Sequence, residues 1–528
     1  MTEQEWAALR PELRALHERE RYLWDENRPR ATEKIHARGQ RTARENIADL
    51  CDAGSFHEYG ALAVAARRTV TEPDTLMAMS PADGVILGTA TVNGGLFGPD
   101  GGRCAVMAYD QSVLAGTQGL TGHRKTDRLF ALAIQHNLPL VVFAGGGGGR
   151  PGDVDADLYH SAALCLPTWA RLGRLSGRVP TVAIMSRYCF AGNAAIAGCC
   201  DAIIATADSN SGMGGPAMIE GGGMGVVDAT AVGPAAQQAQ NGVIDILVED
   251  DAAAVAAAQR YLAYFQGPLP SWQAADQTLL RTALPERSRR SYDVMKIIEL
   301  LTDTGSVMEL RRDFAVNMVT ALVRFEGRTV GVAANNTRCL AGAIDSAAAD
   351  KLARFMQLCN VHRIPMLNLV DCPGFMVGVE AEQQALVRHA NRLYIVAAHM
   401  VVPRISIFLR AAYGLGAIAM GFGEFYANTV LAAWPTARFG PMGDEGAVRL
   451  GFKKQLDAAG SPEERAALFD ALMAERQAQS NALHAASTLE VDTVIDPAAT
   501  REWILHALHS AGPMPPRNDS GECFVDAW

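Results

Sequence analysis

The sequence predicts an α/β protein in which one type of domain is used twice. Short Val- and Ile-rich runs of strand length alternate with Ala-rich stretches, the pattern of largely buried strands crossed by helices. The segment VPTVAIMSRYCFAGNAAIAG, from Val179, lies without gaps over VPRISIFLRAAYGLGAIAMG, from Val402, with six identities in 20 positions. An upstream pair keeps the same order: HNLPLVVFAGGGG begins at His136 and HRIPMLNLVDCPG at His362. Their prolines, Pro139 and Pro365, stand 41 and 38 residues before Pro180 and Pro403. Two motifs that recur in order at nearly one spacing mark an internal repeat.

Taken in order, the chain opens on MTEQEWAALRPELRALHERERYLWDENRPR, charged throughout and without the apolar centre of a signal peptide. In the first copy the strands read CAVMAYD, LPLVVFA, PTVAIMS and DAIIATA; in the second, TALVRFEG, RTVGVAAN, PMLNLVD and PRISIFL. The link is GPLPSWQAADQTLLRTALPERSRRSYDV, where proline and charge rise together. Towards the end, SPEERAALFDALMAERQAQS reads as a solvent-facing helix with Ser461 as N-cap, Pro462 in the first turn and Glu464 closing a capping box.

Composition narrows the function. With 49% hydrophobic and 20% charged residues this is a globular chain, and its net charge of −10 argues against nucleic acid as a partner. There is no uninterrupted apolar run of the roughly 18 residues a membrane span needs. Ten scattered cysteines without a CxxC pair read as buried reduced thiols of a cytoplasmic protein, and no metal site is expected. GxSxG and HExxH are absent, and His136 and His362 read as helix-end or packing residues.

The glycine turns carry the chemistry. Gly145–Gly149 follows a strand, yet Arg150-Pro151 stands where a phosphate-binding loop has Lys-Ser/Thr. More informative are FAGNAA and YGLGAI, which occupy matching places in the two copies where a strand gives way to a helix. Small residues there let main-chain N–H groups point into a cavity and stabilise a developing negative oxygen. One such turn per copy implies two oxyanions.

The sequence resembles the β (carboxyltransferase) subunits of biotin-dependent acyl-CoA carboxylases, such as propionyl-CoA carboxylase. The likeness rests on ARGQRTARENIADLCDAGSFHEYG, PADGVILGTATVNG, YDVMKIIELLTDTGSVMEL, FEGRTVGVAANN, AGAIDSAAADKLARFMQLCN, IPMLNLVDCPGF, RAAYGLGAIAM, AWPTARFGPMGDEGAV and VIDPAATR, in family order. It implies two tandem crotonase-like (ClpP/crotonase) domains, each a spiral of ββα turns: residues 1–270 on the acyl-CoA side and 290–528 on the biotin side. It further implies transfer of CO2 from carboxybiotin to the α-carbon of an acyl-CoA, with the ureido nitrogen taking the α-proton. That accounts for the missing side-chain base.

By the same resemblance, the amides of Gly192 and Asn193 form one oxyanion hole and those of Leu415 and Gly416 the other. The repeat superposition pairs these same positions. Gly145, Gly146, Gly147, Gly148, Ala191 and Ile418 are expected on the acyl-CoA substrate, and Gly374, Phe375 and Gly414 on biotin. Arg38–Arg44 supplies candidates for the CoA phosphates. Implied partners are a biotin carboxylase/biotin carboxyl carrier (α) subunit and further copies of the chain in a homo-hexamer, a dimer of trimers; membrane and nucleic acid are not expected. A biotin-dependent decarboxylase subunit and a non-catalytic scaffold are the alternatives. Three departures from the family stand out: AGGGGGRPGDVD in place of a DSGGAR-type turn, Asn193 in place of glycine, and Leu415 in place of glycine.

Overall fold

The computed structural model describes residues 3–150, 152–155, 165–287, 290–512 and 523–528. The chain divides into two units, the first ending at Gly267 and the second beginning at Pro268. The first holds β1 (His57–Glu58), β2 (Val85–Thr91), β3 (Arg103–Tyr109), β4 (Leu140–Phe143), β5 (Thr181–Met185), β6 (Tyr188–Phe190), β7 (Ala202–Thr206), β8 (Asn210–Gly212) and β9 (Ile246–Val248). Its main sheet runs β1-β2-β3-β4-β5-β7-β9, while β6 and β8 pair separately. The first three strands are antiparallel and the rest parallel.

The second unit repeats this plan with β10 (Met308–Leu310), β11 (Met318–Phe325), β12 (Arg328–Asn335), β13 (Met366–Cys372), β14 (Arg404–Tyr413), β15 (Val430–Ala433), β16 (Arg438–Gly440) and β17 (Thr493–Val494). The order is β10-β11-β12-β13-β14-β15-β17, with β16 added to β14. All eight strands expected from the sequence are present. One difference separates the copies. The ten-residue β14 of the second unit corresponds to β5 and β6 of the first, which are split at Ser186-Arg187, where Arg187 takes a φ of 60°. In each unit the parallel strands carry a core of Val, Ile, Leu and Ala.

Duplication extends to polar detail. Helix α1 (Leu120–His136) carries Lys125, whose buried ammonium donates to the Ala82 and Val85 carbonyls at 2.8 and 2.5 Å. Further along the chain, α2 (Gly192–Gly198) opens the first glycine turn's helix, and α3 (Ser346–Val361) repeats the buried lysine with Lys351, which donates to the Arg311 and Phe314 carbonyls at 2.8 Å each. Burial pushes these ammonium groups down, Lys125 to about 8 and Lys351 to about 7. Between about pH 7 and the ordinary lysine value of 10.5, the folded chain therefore holds less proton on Lys351 than the unfolded chain does. Lysine burial is most costly below that window, and its cost is relieved as pH rises through it. The stability gap between wild type and Lys351→Met is thus expected to shift in favour of the wild type across the window. Urea unfolding of both proteins at pH 7 to 10 measures this; a pH-independent gap would contradict it.

Two expectations need amending. Ser461 does cap its helix by accepting from the Glu464 amide at 3.1 Å, but the Glu464 carboxylate accepts from the Gly460 amide, so the box is not closed on Ser461. The thiols are not all buried, since Cys165, Cys199 and Cys523 are exposed. No described helix is long and apolar enough to cross a membrane.

Candidate active site

The first turn joins β6 to α2. Ala191, at the junction, takes φ 52° and ψ −120°, a conformation costly for a residue with a Cβ. Its amide donates to the Gly212 carbonyl at 2.9 Å, and its carbonyl accepts from Ala195 at 2.8 Å. The Gly192 and Asn193 amides, first in the helix, donate to no other described residue. They are unpaired donors in the first turn of the helix, Gly192 partly exposed and Asn193 buried.

The central amides of the glycine run, Gly146 to Gly148, are committed internally and do not offer a phosphate cradle. Gly146 donates to Tyr188 at 2.7 Å, Gly147 to Ala115 at 3.2 Å, and Gly148 to the Asn193 side-chain oxygen at 2.9 Å. The carboxamide nitrogen of Asn193 donates to the Gly116 carbonyl at 3.3 Å. Asn193 is fully buried, so its side chain clamps the run from beneath and adds no donor to a cavity. At Gly146 a Cβ would fall on the Gly116 carbonyl oxygen and the Asn193 amide nitrogen, so only glycine fits. Arg150, where a phosphate loop has its lysine, turns inward to Asp83, Asp153 and Thr117.

The second turn joins β14 directly to α5 (Gly414–Met420), while α4 (Leu386–Ala398) precedes β14 in the chain. Gly414 takes φ 56°, matching Ala191 at the equivalent place. The Leu415 and Gly416 amides, like their counterparts, donate to no other described residue. Gly414, Leu415 and Ile418 line a cleft of about 740 Å³, walled by Phe425, Tyr426, Phe439 and Leu489. Leu415 is 63% exposed at its mouth. Gly374 and Phe375 lie elsewhere: Gly374 backs directly onto Gly416, and Phe375 meets the Tyr394 ring edge-on at 6.5 Å between centroids.

The supporting loops match bond for bond. Gln118 donates to the Gly148 carbonyl at 2.7 Å and accepts from Arg150 at 2.8 Å; Ile344 donates to Gly374 at 3.1 Å and accepts from Met376 at 2.8 Å. Each loop follows a Leu-Ala-Gly triplet in left-handed conformation, Leu114–Gly116 and Leu340–Gly342. That triplet recurs 226 residues on, the same interval as His136 to His362, and is the signal that would have located these loops from sequence. The staples differ. In the second unit Asp371 accepts from Tyr292 at 2.9 Å, Arg410 at 3.0 Å and the Ala411 amide at 2.9 Å, and so fills the irregularity between β13 and β14. Burial raises the Asp371 carboxyl above its ordinary value, an effect opposed by Arg410. In the first unit Gln111 does the stapling by donating to Ser186 at 3.0 Å.

Of the candidate phosphate contacts, Arg41 pairs with Asp49, and Arg44 with Glu58 and the Leu23 carbonyl. The exposed Arg38 side chain has no such partner among the described residues.

Comparison with known proteins bears on this duplicated arrangement. The family model described as carboxyl transferase domain matches residues 34–513. The chain belongs to that family. This carboxyltransferase is an enzyme of the class found in biotin-dependent acyl-CoA carboxylases. It is 30% identical over 513 residues to the biotin-dependent long chain acyl-coenzyme A carboxylase beta4 subunit of Mycobacterium tuberculosis, covering 94% of each chain. A single-chain, multi-domain long-chain acyl-CoA carboxylase superposes with a TM-score of 0.89 at 51% identity. The match covers 95% of this carboxyltransferase but only 49% of that longer chain. The transcarboxylase 12S structure, a hexamer assembly with methylmalonyl-coenzyme A and methylmalonic acid bound, superposes with a TM-score of 0.80 at 31% identity over 93% of both chains. The mixed α/β architecture is therefore that of solved carboxyltransferases.

Proposed function

We propose that the chain moves CO2 from carboxybiotin to the α-carbon of an acyl-CoA, using two crotonase-like domains of spiral ββα turns. Residues 1–270 take the acyl-CoA, and residues 290–528 take biotin. The observation that carries this reading is the pair of equivalent turns, each with two uncommitted amides at a helix start after a residue of positive φ. Carboxybiotin, brought by a carrier partner, supplies the CO2 and the nitrogen that accepts the α-proton.

The chain's own residues act by position and charge. The Gly192 and Asn193 amides stabilise the enolate oxygen of the thioester, and the Leu415 and Gly416 amides stabilise the ureido oxygen, each donor lowering the barrier by a few kcal/mol. The second cleft suits a flat apolar bicycle, since its walls are aromatic and aliphatic and Leu415, at the start of α5, lines it. Gly145–Gly148 and Ala191 form the wall of the acyl site, and Gly374, Phe375 and Gly414 support the biotin side, whose cleft Ile418 also lines. The 12S structure, as a hexamer assembly with a CoA ester bound, supports a homo-hexamer here. The setting proposed is cytoplasmic.

Incubating the purified chain with malonyl- or methylmalonyl-CoA and free biotin tests the reading. Decarboxylation that depends on added biotin is expected. Absence of both turnover and acyl-CoA binding by calorimetry would overturn it.

A further inference from the structure

Tyr394, on α4, belongs to none of the groups assigned above. Its hydroxyl donates to the Leu415 carbonyl at 2.8 Å. That carbonyl and the Gly416 N–H are the two ends of one planar peptide unit. A hydrogen bond accepted at the oxygen draws electron density from the nitrogen and makes the N–H a stronger donor, by about 10–30% in condensed-phase estimates. It also fixes the plane in which the N–H points. We propose that Tyr394 is a positioning residue for the second oxyanion site, orienting and polarising the Leu415–Gly416 peptide so that its amide meets the ligand oxygen. The inference rests on the reading of that turn given under Proposed function.

The surroundings of Tyr394 suit that task. Phe375 packs edge-on against its ring, and a Cβ at Gly423 would lie 3.4 Å from the ring, so the side chain has little room to swing. Its helix is seated through buried Leu386, Ala390, Leu393 and Ala397. Two residues earlier, Arg392 ties the helix to Asp350 at 3.0 Å and to Asp526. Burial pushes the phenol up to about 12, so it remains a donor across the working range of pH. The first unit has no matching hydroxyl: no described side chain donates to the Gly192 carbonyl, and the buried Asn193 carboxamide holds that turn instead. Among the described residues the device belongs to the second turn alone, where Leu415 lines the cleft with its side chain exposed.

The full chain carrying Tyr394→Phe tests the proposal with two readouts. In biotin-dependent decarboxylation of methylmalonyl-CoA, kcat is expected to fall about five- to tenfold while the KM for the CoA ester and the thermal midpoint stay at wild-type values. In hydrogen–deuterium exchange, residues 414–418 are expected to exchange faster with the rest of the chain unchanged. A kcat within twofold of wild type, or a parallel change in KM and thermal midpoint, overturns the positioning role. If the wild type itself proves inactive, the function reading fails, and the exchange experiment still decides: unchanged protection at 414–418 overturns the hydrogen-bond role of Tyr394.

Discussion

Gly416→Ala is expected to lower carboxyl transfer by about a hundredfold or more, with acyl-CoA affinity unchanged. The reason is space, since Gly416 does not have the positive φ that would itself exclude alanine. A Cβ there would lie 2.7 Å from the Cα and carbonyl carbon of Gly374 and 2.9 Å from the Cys372 sulfur. Two of those three atoms are main chain and cannot swing aside. Gly374 is held in turn by the Ile344 amide, so relief must come from α5, which carries the two amides away from their ligand. A displacement of that kind acts on the charge formed in the transition state, so it is read in kcat. The overpacking should also cost about 1–3 kcal/mol of stability. Steady-state kinetics with the CoA ester varied at saturating biotin measures the first effect, and urea unfolding the second.

Asn193→Ala has the opposite signature. It leaves the Gly148 amide and the Gly116 carbonyl without the partners they have now, in a site from which water is excluded. An unmet buried donor and acceptor together cost roughly 2–6 kcal/mol. The glycine run has no side chains of its own with which to hold a shape, so loss of the clamp loosens the wall of the acyl site. Acyl-CoA affinity should fall at least tenfold, while α5 and the second cleft are untouched. Asn193→Asp is expected to rescue little, because one carboxylate oxygen would accept from Gly148 and the other would face the Gly116 carbonyl, acceptor against acceptor.

Much of this arrangement was legible in the sequence because repetition amplifies weak signals. The strands showed through their Val and Ile content, and the two turns through six matched residues between Val179 and Gly198. What the Asn193 side chain does was not legible. A polar residue in place of glycine beside a proposed anion site invites reading as an extra donor, and only the fold shows its carboxamide turned to the glycine run. Tyr394, Gln111 and Asp371 were missed for a related reason. Each acts through a main-chain group 21 to 75 residues away, and such a contact leaves no local pattern. The broken capping box at Ser461 shows the same limit at short range, where Glu464 had a choice of two neighbouring amides and took Gly460.

Titrating methylmalonyl-CoA calorimetrically into wild type, Gly416→Ala and Asn193→Ala separates the two sets of amides most directly. Wild-type affinity in Gly416→Ala, together with at least tenfold weaker binding in Asn193→Ala, is the result predicted by one oxyanion site per unit. Loss of binding in Gly416→Ala with full binding in Asn193→Ala would contradict it.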